Sequence, residues 1–210
     1  MNASELLAAE RQALCDTLDS VGPDAPTLCE GWTASDLAAH LVVRERDPSA
    51  GPGILLPGPF ARYTHKRMER VEQRGFGWMV DRLRNGPPVW FSAGPMAIPN
   101  LVENFVHHED VRRARGDAPR QLDTEVETAL WKVLSRMSRL MMRRARGTGI
   151  ELVASETRRK RVKRGEKFVT ITGPVGELVL YAYGRKSAAK VVLDGPPEAV
   201  AIVEAATYGI

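Results

Sequence analysis

The stretch WTASDLAAHLVVRER, residues 32–46, carries the clearest local signal in the chain. Thr33 and Asp36 have the spacing of a capping box, and Trp32 before the cap with Leu37 at the fourth helical position forms a hydrophobic staple, so a helix is expected from Ala34 to Arg46. Leu37, Leu41 and Arg44 lie along one stripe, and at about 100° per residue His40 sits about 60° from Leu37, at the margin of the buried face. Upstream, Asn2 and Glu5 repeat the capping spacing, and Leu7, Leu14, Leu18 and Val21 recur with helical period until Gly22-Pro23 ends the run.

Downstream, residues 48–59 hold four prolines and three glycines around the apolar island Ile54-Leu55-Leu56. Such a loop either plugs the end of a helix bundle or covers a site. A third helix is expected at 61–84, weakened by Gly75 and Gly77 and stopped by NGPP at 85–88; a fourth at 99–115; and a fifth at 124–146, with Ala129, Val133, Met137, Leu140 and Met141 on one stripe. The period then changes. Ile150–Ala154 and Phe168–Thr172 alternate as strands do, with a basic turn between them; Ala189–Leu193 offers another strand, and Val175–Tyr183 and Pro197–Ala206 fit helices. The expected organisation is a helical bundle over 1–146 followed by a small α+β domain over 147–210.

Composition bounds the function. With 43% apolar and 27% charged residues in 210, the chain has the makings of a packed core. No run approaches the ~18 apolar residues of a membrane span, and the opening MNASELLAAERQ is acidic where a signal peptide is basic, so a soluble, cytoplasmic protein is expected. The two cysteines, Cys15 and Cys29, match no metal or redox spacing, which leaves histidine and carboxylate to hold any metal. The net charge of +4 is unevenly spread: residues 143–167 carry ten Lys or Arg against three Glu. That run has no interleaved aromatics and no reader motif, which argues against nucleic acid; it reads as a solvated strand-turn-strand or as an attractor of anionic ligands.

In NLVENFVHHEDVRRARG, residues 100–116, Glu103, His107 and Asp110 fall within about 60° of one another on one helix face, whereas His108 points to the flank shared with Arg112 and Arg115. His108 and His65 read as surface residues, and Trp78, Trp90 and Trp131 as core. An inward imidazole is either a hydrogen-bonded core residue or a ligand. His40, Glu103 and His107 around a divalent ion would offset the cost of an inward carboxylate, with Zn²⁺, Ni²⁺, Mn²⁺ or Fe²⁺ suited to the donors. Asp110 is then either a partner behind His107 or a salt bridge to Arg113 or Arg44.

TLCEGWTASDLAAHL at 27–41, Glu103, His107 and Asp110 in ENFVHHEDVRRA, and VTITGPVGELVLYAYGRKSAAKVVLDGPPEAV at 169–200 together resemble the mycothiol-dependent maleylpyruvate isomerase family. Within it, RERDPSAGPGILLP joined with NFVHHEDVRRA is similar to an actinobacterial subgroup of unassigned reaction, while the short total length and the His107-His108 doublet depart from the family's pattern. The resemblance implies a DinB-like metal-binding four-helix bundle followed by a sterol-carrier-like α+β domain, a divalent metal, usually zinc, on His40, Glu103 and His107, and mycothiol as cofactor. Arg185 in the YGRK turn is either a cofactor-binding residue facing the cleft or a solvated arginine. The expected activity is a metal- and thiol-dependent transferase or isomerase acting on a small electrophilic substrate. The alternative is a non-catalytic binding module whose segment 143–167 meets an anionic partner.

Overall fold

The computed structural model describes residues 1–50, 58–88 and 96–209, so the Ile54–Leu56 island and Trp90 lie outside the described residues. Eight α-helices and a four-stranded sheet are present among them: α1 (Ala3–Val21), α2 (Ala34–Arg46), α3 (Pro59–Glu72), α4 (Phe76–Arg84), α5 (Ala97–Ala114), α6 (Thr124–Met141), β1 (Gly149–Val153), β2 (Arg159–Lys163), β3 (Phe168–Thr172), α7 (Val175–Ala182), β4 (Val192–Asp194) and α8 (Pro197–Ala205). No helix among the described residues is long and apolar enough to cross a membrane.

Both capping boxes form as the sequence requires. Asn2 Oδ1 accepts from the amides of Ser4 and Glu5, and the Asn2 amide donates to Glu5. In α2 the Thr33 amide donates to Asp36 Oδ2 at 2.8 Å and Thr33 Oγ1 accepts from the Asp36 amide. The single helix expected at 61–84 is two helices. α3 ends at Glu72, and Gly75, with φ +88°, redirects the chain into α4, which starts at Phe76.

The chain divides into two compact units, Met1–Ala118 and Pro119–Ile210. In the first, α1 packs against α4 and α5, and α2 against α3 and α4. Leu14 and Leu18 of α1, Leu37 and Leu41 of α2, Met79 and Leu83 of α4 and Val111 of α5 meet in one buried cluster. This division comes earlier than the expected 146/147. The apolar face of α6, with Ala129, Leu130, Leu134 and Met141 buried, packs on α7 and β2, so the fifth helix belongs to the second unit. A change of hydrophobic period marks a change of element type, not of packing partner.

In the second unit the sheet order is β2-β1-β3-β4, with β1 antiparallel to β2, parallel to β3, and β3 antiparallel to β4. The parallel register sets Ile150 beside Val169 and Leu152 beside Ile171, and all four are buried. Every residue of α7 is buried. The final strand starts at Val192, later than expected, because the amides of Ala188 and Ala189 donate to the Arg185 carbonyl in a turn. The expected basic turn contains an edge strand, β2, whose charges are largely engaged: Arg159 pairs with Glu151 at 2.6 Å, Arg158 beside it pairs with Glu127 at 2.7 Å, and Arg161 lies over the Phe168 ring.

The core of the first unit also contains an ion pair, Arg11 Nη2 to Glu45 Oε1 at 2.6 Å, with both side chains at most 6% exposed. Arg11 Nε and Glu45 Oε2 have no hydrogen-bond partner among the described residues, so the desolvation of the pair is incompletely offset there. Arg11→Met alone, which strands a buried carboxylate, should cost about 3–5 kcal/mol in urea unfolding, and Arg11→Met with Glu45→Leu should recover most of it. Equal losses in the single and double variants would contradict this account.

Candidate metal centre

The capping box that starts α2 sets the helix phase, and two turns in, His40 and Arg44 emerge one turn apart toward α5. On α5 the same one-turn spacing aligns Glu103 with His107, and Asp110 follows three residues later. The two helices bring these groups together at a single carboxylate. Glu103 Oε1 lies 3.4 Å from His107 Nε2, 4.0 Å from His40 Nε2 and 3.2 Å from Arg44 Nε. The ligand atoms of His40, Glu103 and His107 all lie within 4.8 Å of one another.

Each member is held from behind. The His40 ring packs on Trp32, with centroids 5.1 Å apart, and on His107, 5.3 Å apart. His107 Nδ1 is 3.0 Å from Asp110 Oδ2, and Asp110 is fully buried. Asp110 Oδ2 also accepts from Cys29 Sγ at 3.2 Å, and the Asp110 carbonyl accepts from the Leu28 amide at 3.0 Å. The turn carrying these groups is tied internally by Thr27, whose Oγ1 donates to the Trp32 carbonyl and accepts from the Cys29 amide. Arg44 is likewise anchored, its Nη1 donating to Oδ1 of the fully buried Asn100.

Proton positions follow from these partners. An ionised carboxylate only accepts, so the hydrogen between His107 and Asp110 sits on Nδ1 and directs Nε2 at Glu103. Burial by itself lowers the His107 pKa, but the hydrogen bonds to Asp110, Cys29 and Glu103 outweigh it and hold the imidazole well above its ordinary value. Burial raises the Glu103 pKa, yet the hydrogen bonds of His107 and His40 and the Arg44 charge bring it well below the usual carboxylate range. His40 is shifted down by burial, which favours a neutral ring with a lone pair to give.

The donor set fits a divalent ion. Tetrahedral zinc with bonds of about 2.0–2.1 Å needs ligand atoms about 3.3 Å apart. The His107–Glu103 edge, at 3.4 Å, has that length, and the 4.0 Å edge to His40 closes with a shift under about 1 Å. A second group, Cys29, His107 and Asp110, also clusters within 4.8 Å, on the Nδ1 side of the same histidine.

Several expectations are sharpened or corrected here. Of the two readings of Asp110, the structure has it behind His107; Arg113 pairs with Glu109 and Arg44 with Glu103. His65 is exposed beside Glu69, as expected. His108 is not a surface residue: it is 3% exposed, with Nδ1 2.9 Å from Glu10 Oε1 and Nε2 2.8 Å from Thr17 Oγ1 on α1. The flank read as solvent faces α1, because α5 is buried on nearly every side. Arg185 belongs to the second unit, where its Nη1 donates to the Tyr183 carbonyl at 2.7 Å. Sequence reasoning did not place Cys29 at Asp110, and it offered Arg44 to Asp110 rather than to Glu103; their signals are the quoted turn before α2 and the one-turn spacing after His40.

No family model matches the sequence, and no curated protein is similar to it at the sequence level. Two solved structures are similar in fold. One is the mycothiol-dependent maleylpyruvate isomerase, at 15% identity with a TM-score of 0.60; the other is a histidine-to-alanine mutant of the mycothiol-dependent maleylpyruvate isomerase, at 16% with 0.61. Each match covers 91% of both chains. The protein therefore has the fold of that isomerase, a helical part followed by a small mixed α/β part.

The charge pattern has a stability consequence. Because the folded His107 pKa is raised, its stabilisation of the metal-free protein is complete below the unfolded value near pH ~6.5 and is lost as pH rises through the folded pKa. Glu103→Gln removes one source of that rise, so in urea unfolding with chelator present the loss should move to lower pH. A stability–pH profile identical to that of the parent protein would refute the assignment.

Proposed function

We propose that the first unit binds one divalent ion through His40, Glu103 and His107, and that the protein is a metal- and thiol-dependent transferase or isomerase acting on a small electrophilic substrate. The observation that carries the reading is the convergence on Glu103 Oε1: the Nε2 atoms of two buried imidazoles face one carboxylate oxygen, so a cation that displaces the His107 Nε2 proton meets three donors at one point. Three protein donors are the number found in catalytic zinc sites, where structural sites use four. The fold likeness to a mycothiol-dependent isomerase supports the thiol, and the N,N,O donor set favours zinc.

His40, Glu103 and His107 would hold the ion, whose charge would lower the pKa of a bound thiol enough for thiolate to be present at neutral pH. The chain's own residues supply the rest. Asp110 fixes the His107 ring and its hydrogen, Trp32 covers one face of His40, and Arg44 offsets the Glu103 charge. Thiolate addition to a conjugated double bond followed by expulsion of the thiol gives isomerisation; retention of the thiol gives a conjugate. The alternative, an anionic partner on segment 143–167, is weakened by the pairing of Arg158 and Arg159 with Glu127 and Glu151.

Chelator-treated protein should take up one Zn²⁺ in calorimetry, and His40→Ala or Glu103→Ala should weaken binding at least about 100-fold. Since the ion replaces the proton on His107 Nε2, apparent affinity should climb about tenfold per pH unit below the raised His107 pKa and level off above it. Parent protein that takes up no stoichiometric metal at any pH would end this reading. With metal bound, a low-molecular-weight thiol should raise the thermal midpoint further. Arg185→Ala tests the role implied by the resemblance: thiol affinity should fall at unchanged metal content.

A further inference from the structure

Arg44 is a feature of the centre that the ligand set does not explain. Its Nε lies 3.2 Å from Glu103 Oε1, the same oxygen that faces both imidazoles, and its Nη1 is fixed on buried Asn100 at 3.1 Å. Its side chain is 17% exposed and stands one helical turn beyond His40, on the same face of α2. A guanidinium in this place is unfavourable for metal binding alone. It competes for the carboxylate and adds a positive charge beside the position of a dication, in surroundings of low polarity.

The formal charges indicate what compensates. Glu103 and Asp110 contribute one negative charge each and Arg44 one positive, so with both imidazoles neutral, the form that ligates a metal, these groups sum to one net negative charge. A divalent ion turns this into one net positive charge, and a singly charged anion then makes the site neutral. We infer that Arg44 is a specificity residue that makes the loaded centre select an anionic ligand, a thiolate or a carboxylate, over a neutral one of the same size. The inference rests on the metal reading proposed above. The guanidinium needs little reorganisation for this, because Asn100 and Glu103 already hold it from two sides, and its planar fork suits a carboxylate better than an ammonium does. The arrangement gives up some metal affinity in exchange for anion affinity.

The test uses Co²⁺-loaded full-length protein, whose visible spectrum reports ligands entering the metal's coordination sphere, titrated with acetate and 2-mercaptoethanesulfonate as anionic probes and imidazole as the neutral one. Metal uptake is measured first. If the parent protein takes up no cobalt or zinc, the metal reading itself fails. If it does, Arg44→Met should bind each anion at least about tenfold more weakly, bind imidazole within about twofold of the parent, and hold the metal no less tightly. Arg44→Lys, which keeps the charge but loses the fork, should fall between the two. Equal anion affinities in parent and Arg44→Met, or an equal weakening toward anions and imidazole, would overturn the inference while leaving the metal reading intact. Circular dichroism and cobalt stoichiometry establish that Arg44→Met is folded and loaded; a variant that does not load is replaced by Arg44→Gln, to which the same criteria apply.

Discussion

One carboxylate oxygen organises the functional face of the first unit. Glu103 Oε1 is the common neighbour of two imidazole nitrogens and a guanidinium, each delivered by a one-turn repeat on α2 or α5. A half-buried anion of this kind favours positive charge around it, and the surroundings supply it at graded distances. The rest follows in layers: Asp110 answers His107, Cys29 and Leu28 answer Asp110, and the turn they occupy leads directly into the cap of α2. The centre and the local fold are therefore mutually dependent. The phase of α2 sets where His40 points, and the contacts of Asp110 tie the turn that starts α2 to the helix that carries His107.

Much of this was legible in the residues because helix period and capping chemistry are local. Thr33 with Asp36 and Asn2 with Glu5 start their helices where spacing said they would, and the wheel of α5 put Glu103, His107 and Asp110 on one face. What escaped was non-local. A wheel separates faces but does not say what covers each of them, so His108, opposite the carboxylates, looked exposed although α1 buries it. Gly75 was a visible weakness, but only its positive φ shows that the chain is redirected there. Cys29 matches no ligand spacing in the sequence because the residues it meets, Asp110 and His107, come from a distant helix.

The α6 helix illustrates the same limit at a larger scale. Its sequence is as helical as those before it, and the switch to strand alternation lies beyond its end. Its apolar stripe nevertheless fits α7 and β2, and allegiance is decided by that fit. α7, buried at every position, has no polar face to turn to solvent and depends on its neighbours on all sides.

The basic edge strand has a further consequence. A sheet whose outer strand leaves amides and carbonyls unpaired is a template for another sheet to join. In β2 four of five residues are Arg or Lys, so two copies approaching edge to edge would align like charges along their full length before any backbone hydrogen bond formed. The feature that first looked like an invitation to an anionic partner thus disfavours the pairing of two copies along their β2 edges.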